Sequence, residues 1–313
     1  MCGSPKLPAQ TCASGDDLDA ATKAAIDSAA RQYLDMSRNG DVAGLKAHAI
    51  AAIAGDFAAI EQAVVTNRQY LAEGNSTVTG TYLLDASRAK AALPRADFYC
   101  GIYNSLQRLS FSIPNLPPGR YAVAIQKVNG KDAITLTLVL QDVGGWKLAG
   151  YYPRLDVIGG HDGQWYLTQA RAYKAKSQLH DAWFYYLTAW DLNAPVNFVS
   201  TPQLDQIAEE MQEARPDDLP SDHAPLSLSA NGKLFRVTEL APVPVDDNLD
   251  LRIRYQNPDA ANSGIAFQDN LAVIKAILAR YPELRDAFNS VIARAVDSSG
   301  HEYGSLLPVK DVK

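Results

Sequence analysis

The stretch YAVAIQKVNGKDAITLTLVLQDVGGWKLAGYY, residues 121–152, decides the fold class. Two apolar runs, 121–128 and 133–141, are separated by Asn129-Gly130, and a third, 146–152, is entered through Gly144-Gly145. The runs are rich in β-branched and aromatic residues and the dipeptides between them form turns, so the pattern predicts consecutive antiparallel strands. Upstream, Pro117-Pro118-Gly119 sets off another strand-like run over 106–113. Before that, Phe98, Cys100 and Ile102 alternate with Tyr99, Gly101 and Tyr103, and 77–84 is again rich in strand formers. Ahead of Gly74 the period changes. Ile26, Ala30, Tyr33 and Leu34 recur at helical spacing after Asp16 and Asp17, which offer N-cap side chains, and Asn39-Gly40 ends the run. A short Ala-rich helix over 42–54 follows. Asp56 then caps a third, with Phe57, Ile60, Val64 and Leu71 on one face. Helices followed by an antiparallel meander predict an α+β fold.

The 313 residues are enough for two domains with cores of their own. With 47% hydrophobic and 20% charged residues the chain has a globular composition. A net charge of −6 argues against a nucleic-acid binder, which needs a basic stripe to neutralise phosphates. No apolar run reaches the roughly 18–20 residues that cross a bilayer as a helix.

Met1 is followed by Cys2, Gly3, Ser4 and Pro5 and then by a polar tail. This start resembles the mature N-terminus of a bacterial lipoprotein, with Met1 in place of a removed signal peptide; the other reading is an ordinary N-terminus that carries a Cys. The resemblance implies a lipid on Cys2 and, because Gly3 rather than Asp follows it, sorting to the outer membrane, facing the periplasm. It leaves Cys12 and Cys100 as an even pair in an oxidising compartment, where a disulfide would pin the tail to the first domain. The other reading of that pair is two unpaired thiols, with Cys100 a small buried hydrophobe.

The order of elements over 17–154, ending in GWKLAGYYPR at 145–154, resembles the NTF2-like (cystatin-like cone) superfamily. Some members of that superfamily are enzymes that hold an Asp or His, often with a Tyr, inside the cone; others are non-catalytic binding modules. The candidates here are His48 and Asp97 beside Tyr99, each of which also reads as a surface, capping or turn residue.

Residues 163–196, GQWYLTQARAYKAKSQLHDAWFYYLTAWDLNAPV, form the densest aromatic run of the chain and resemble one tetratricopeptide unit. Tyr166, Ala170, Tyr173, Ala182, Tyr186 and Ala189 occupy the repeat's aromatic and small positions. Pro195 falls one place late, and Gln169 stands where the repeat has leucine. A solitary repeat cannot bury its own faces and must pack elsewhere. Trp183, Tyr186, Leu187 and Trp190 share one helical face, while Phe184 and Tyr185 point to other sides. Two readings follow: a core helix between two domains, or an aromatic groove for peptide or glycan involving Tyr166, Tyr173, Trp183, Tyr186 and Trp190.

A helix over 203–214 places Leu204, Ile207, Ala208 and Met211 opposite three glutamates. The segment 215–225 reads as a linker. Its Asp217, Asp218, Asp222 and His223 lack the second His or the Cys that a transition-metal site needs. Asp246, Asn248 and Asp250 imitate a calcium loop, but Leu251 and Asn257 stand where its Gly and Glu belong. Strands are expected over 233–240 and 248–256, a helix over 266–280, and helical spacing again in Leu284, Phe288, Val291 and Ile292. Residues 300–313 read as loop or a last short strand.

The domains expected are thus a tether at 1–16, an NTF2-like domain at 17–158, the hairpin with its following helix at 159–215, a linker at 216–225 and an α+β module at 226–313. No nucleotide loop, GxSxG, HExxH or CxxC is present, so no cofactor or metal is expected. The function expected is that of a lipid-anchored envelope protein, binding or scaffolding another envelope protein without catalysis. The alternative is an enzyme using the cone for acid–base chemistry on a small apolar molecule.

Overall fold

The computed structural model describes residues 10–72, 74–101, 108–130 and 132–312. They divide into two compact units: the chain up to Val157 joined by Asp191–Gln206, and Ile158–Trp190 joined by Ile207–Lys313. Both mix helices with sheets, so the molecule is α+β.

In the first unit, β1 (Thr11–Ser14) precedes the helices α1 (Ala20–Asn39), α2 (Val42–Ala47), α3 (Ala51–Gly55) and α4 (Ala58–Ala72). Asp19 caps α1, accepting from Thr22 N at 2.8 Å, so the cap lies two residues beyond the aspartates the sequence pattern picks out. Gly40 ends the helix at φ 68°, a left-handed position where a Cβ is penalised. Six strands follow: β2 (Asn75–Asp85), β3 (Leu93–Cys100), β4 (Leu109–Leu116), β5 (Arg120–Asn129), β6 (Ile134–Asp142) and β7 (Trp146–Leu155). One sheet has the antiparallel order β1-β2-β5-β6-β7. The expected tether therefore ends in an edge strand over 11–14. Cys2 and the expected strand positions 102–107 lie outside the described residues.

Period-two alternation gives this sheet two buried faces. Ala122, Ala124, Leu136, Leu138 and Leu140 pack with Ile26, Ala30, Leu34 and Val64 of the helices. Burying each Leu or Ile contributes about 1.5–3 kcal/mol. The opposite face carries Tyr82, Val123 and Val139 in register. A second sheet, β3-β4 extended by the two-residue strand Val199–Ser200, approaches it through Phe111, whose ring meets Tyr82 edge-on at 5.2 Å. Cys12 and Cys100 form a disulfide, tying β1 to β3 across 88 residues of sequence.

In the second unit, α5 (Gly163–Ala175) and α6 (Leu179–Asn193) make the helix pair, turning through Ser177 at φ 61°. The helix α7 (Pro202–Glu213) contributes its later residues: Arg171 forms a two-pronged pair with Glu210, both bonds 2.7 Å, and Lys174 meets Glu213 at 2.7 Å. A five-stranded sheet follows in chain order: β8 (Leu226–Ala230), β9 (Lys233–Val245), β10 (Asn248–Gln256), β11 (Ser290–Val296) and β12 (Glu302–Pro308). Only β10 and β11 are parallel, and α8 (Ser263–Arg280) with α9 (Leu284–Ala287) makes the crossover between them. Leu249, Leu251, Ile253 and Tyr255 are buried on one face of β10, as their alternation predicts. Pro242 and Pro244 are tolerated in β9 because β8 pairs only with residues 233–237, leaving that half of β9 without a ladder partner on one side.

The helical spacing expected through Val291 and Ile292 is not realised, because α9 stops at Ala287. Val291, Ala293 and Ala295 are buried at every second position and pair with Leu251, Ile253 and Tyr255. Strand pairing and β-branching outweigh a spacing that four apolar residues satisfy equally well as helix. The calcium-like residues serve this sheet: Asp250 Oδ1 accepts from Ser290 N at 2.9 Å, and Asn248 Oδ1 from Asn289 Nδ2 at 2.6 Å.

Candidate functional site

A concavity of mixed lining lies in the first unit. It is a groove of about 680 Å³ walled by β3 and β4, by β5–β7 and by residues 197–200. Such a volume suits a small organic ligand. Aromatic surface comes from Tyr99, Tyr121, Tyr152 and Phe198, and polar groups from Arg95, Asp97, Ser110, Ser112, Gln141, Asn197 and Ser200.

The groove's shape follows from small local features. Gly150 and Tyr152 point to the same side of β7, and a Cβ on Gly150 would stand 2.7 Å from Cε2 of Tyr152. The missing side chain lets the Tyr152 ring lie back along its own strand. It meets Phe198 edge-on at 5.5 Å, and Phe198 in turn lies 6.3 Å from Phe111. Phe198 is carried in by residues 191–206. That segment is fixed to the sheet by Thr137 Oγ1 donating to Pro195 O (2.8 Å), by Ser112 N donating to Phe198 O (2.9 Å) and by the Arg108–Asp205 pair (2.8 Å). Val199–Ser200 pairs with Phe111 and Ser110, so among the described residues the β4 edge beyond Ser112 has no partner strand. Pro114 lies on that edge and has no N–H to donate, which disfavours addition of a peptide strand.

Along the outer face of the second sheet, Arg95, Asp97 and Tyr99 stand across from Pro114, Ser112 and Ser110. Arg95 Nε donates to Asp97 Oδ1 at 2.9 Å. Hydrogen bonds from Arg95 and Ser112 hold the Asp97 carboxyl below the usual carboxylate range, so it is an anion at neutral pH. Tyr121 donates to Pro117 O (3.0 Å) and accepts from Gln141 Nε2 (3.2 Å), while burial pushes the phenols of Tyr121 and Tyr152 upward. A fixed anion and two protonated phenols suit hydrogen bonding to a ligand. General acid–base catalysis instead needs a group poised near the working pH. His48 does not line the groove; it closes α2, with Nδ1 2.9 Å from Gly44 O.

The aromatic residues singled out in 163–190 lie in the other unit. Tyr166 and Tyr186 are 3% and 1% exposed and offer no surface to a ligand. Tyr166 donates to Ile158 O (3.1 Å) and Tyr186 to Glu210 Oε2 (3.1 Å). Tyr173, Trp183 and Trp190 are half-buried; Tyr173 donates to Asp286 O (3.0 Å), and the Arg215 guanidinium lies over the Trp183 ring at 5.6 Å. Asp218 in the expected linker accepts from Tyr281 (2.7 Å) and pairs with His180 (2.9 Å). Among the described residues no group of three His, Cys, Asp or Glu side chains is placed to hold a metal, and no helix is long and apolar enough to cross a membrane.

The NTF2-like resemblance singles out Asp97 beside Tyr99, while Tyr152 and Phe198 carry no such signal. The Gly-x-Tyr of 150–152 hints at a ring folded onto its strand, and the same pattern recurs at Gly80 and Tyr82. Phe198 reaches the groove only through the chain's return over 191–206, which no local pattern encodes. Compared with protein-family models, curated proteins and solved structures, the chain matches none.

Proposed function

We propose that this is a non-catalytic binding protein whose groove takes a carbohydrate-like ligand, a ring compound with a flat apolar face and several hydroxyls. The observation that carries this is one wall shared by aromatic and short polar groups. Tyr152 and Phe198 offer ring surface, while Ser110, Ser112, Asn197, Ser200 and the Arg95–Asp97 pair offer donors and acceptors suited to hydroxyls. The anionic Asp97 accepts only and Arg95 donates only, so a neutral ligand with both kinds of group satisfies them without burying an unpaired charge.

The proposal places the protein in the cell envelope, lipid-anchored through Cys2 at the outer membrane, facing the periplasm, with another envelope protein as its scaffolding partner. Cys2-Gly3-Ser4 supports the anchor, and the Cys12–Cys100 bridge supports a compartment in which disulfides persist. The run of helices leading into an antiparallel sheet supports the NTF2-like resemblance of the N-terminal part, and the α5–α6 pair supports the tetratricopeptide-like one.

The test is to incubate the folded protein with neutral envelope oligosaccharides and analyse the ligand before and after. Saturable retention with the oligosaccharide recovered unchanged is the expected result. A cleaved or isomerised product would make the groove an active site, and no retention of any oligosaccharide would remove the ligand class.

A further inference from the structure

The second unit buries a carboxylate that nothing described so far uses. Asp181 lies in the first turn of α6, is 0% exposed, and among the described residues neither of its oxygens has a hydrogen-bond partner. Buried polar groups are nearly always paired, and a buried unpaired charge is far costlier than a neutral acid in the same place. Its surroundings make ionisation harder still. The charged groups that bear on it are the carboxylates Glu283 and Asp286, at the start of α9 and within it. From α5 the phenol of Tyr173 faces it, and from its own helix that of Tyr185, both pushed upward by burial. Gln178, just before α6, gives its amide N–H to Asp286 Oδ2 (3.0 Å) and leaves its own Oε1 buried without a partner. The neighbouring His180 is taken up elsewhere: its Nδ1 lies 3.0 Å from Glu283 Oε1 and its Nε2 2.9 Å from Asp218 Oδ1. Burial and the two carboxylates raise the Asp181 carboxyl to about 8.

These groups sit where the helix pair is fastened to the 281–288 segment. Tyr185 donates to Ala287 O at 2.7 Å, Tyr173 to Asp286 O at 3.0 Å, and the rings of Phe184 and Phe288 meet edge-on at 5.9 Å. We propose that Asp181 is a proton-operated latch: while its carboxyl carries a proton the α5–α6 pair is clamped onto the 281–288 segment, and loss of that proton to water releases the clamp. Ionisation puts a third negative charge beside Glu283 and Asp286 in a buried site where neither Asp181 oxygen has a hydrogen-bond donor among the described residues. The anion regains solvation only when the start of α6 moves away from α9. The N-terminal end of the α6 dipole favours the anion, but by less than the cost of burying a charge without a hydrogen-bond donor. The latch is independent of the groove in the first unit.

A titration of the full chain from about pH 6 to about pH 9.5, followed by near-UV and far-UV circular dichroism, tests this. The near-UV signal reports the aromatic packing of Trp165, Tyr166, Tyr173 and Tyr185. The wild type should lose part of it in one step centred near 8 while the far-UV signal holds. Asp181→Asn should abolish the step, and Asp286→Asn, which removes one repelling carboxylate, should move it to lower pH. A wild type without the step, or the same step at the same midpoint in Asp181→Asn, overturns the latch. Should Asp181→Asn fail to fold, an unmoved midpoint in Asp286→Asn overturns it as well.

Discussion

A Cβ built on Gly150 would stand 2.7 Å from the Tyr152 ring, a distance such pairs do not adopt, so Gly150→Ala must push that ring off the groove wall. The expected cost is about 1–3 kcal/mol of stability from overpacking, read by urea unfolding, with a parallel loss of ligand affinity. A variant that binds as the wild type does would mean that Tyr152 is not part of the binding wall. Asp181 makes a second prediction at the same scale. Its carboxyl titrates near 3.8 when unfolded and about 8 when folded, so the folded chain holds the extra proton between those values. Stability from this group is fully present below the lower value and is lost as pH rises through the upper one. The melting temperature of the wild type should therefore fall from about pH 5 to about pH 9 relative to Asp181→Asn. Parallel curves for the two proteins would contradict the assignment.

The disulfide acts at the scale of elements. It fixes a four-residue strand, β1, to β3, and closing a loop of 88 residues corresponds to about 4–5 kcal/mol in the chain-entropy account. Cys12→Ser with Cys100→Ser should lower the unfolding free energy measured in urea by an amount of that order, or somewhat less where the denatured chain retains structure. A midpoint unchanged by reduction would show that the bridge contributes nothing to the stability of the unit. In the other unit, Asn270 on α8 joins the helix to two strands: Tyr255 donates to its Oδ1 (2.8 Å), and its Nδ2 donates to Tyr303 O (3.2 Å) and Ser305 Oγ (2.9 Å). Asn270→Ala leaves the Tyr255 hydroxyl buried without that acceptor and should cost about 1–3 kcal/mol by chemical denaturation.

Elements were legible in the sequence in proportion to how local their cause is. The β5-β6-β7 meander is encoded by Asn129-Gly130, Gly144-Gly145 and the period-two runs between them, and the structure places strands there. The Val291–Ile292 strand was hidden because its strongest reason is a parallel neighbour, β10, some 40 residues away in sequence. The groove was half legible for the same reason. Asp97 and Tyr99 stand in one strand, but Phe198 joins them only because the chain leaves the first unit at Val157 and comes back at Asp191.

At the scale of the molecule, the chain builds two units by interleaving: the first is completed by residues 191–206, and the second begins at Ile158 with the helix pair. The anchor proposed for Cys2 is tested on the whole chain: mass spectrometry of protein made with its native leader should find the lipid there, and an unmodified Cys2 would withdraw the envelope proposal. The groove is the feature on which the account turns. Calorimetric titration of one oligosaccharide into wild type, Tyr152→Ala and Phe198→Ala tests it most directly. Loss of one aromatic platform should weaken binding by roughly tenfold, on the order of 1.4 kcal/mol, with the folded structure retained. Equal affinity in all three folded proteins would contradict the claim that this groove is the binding site.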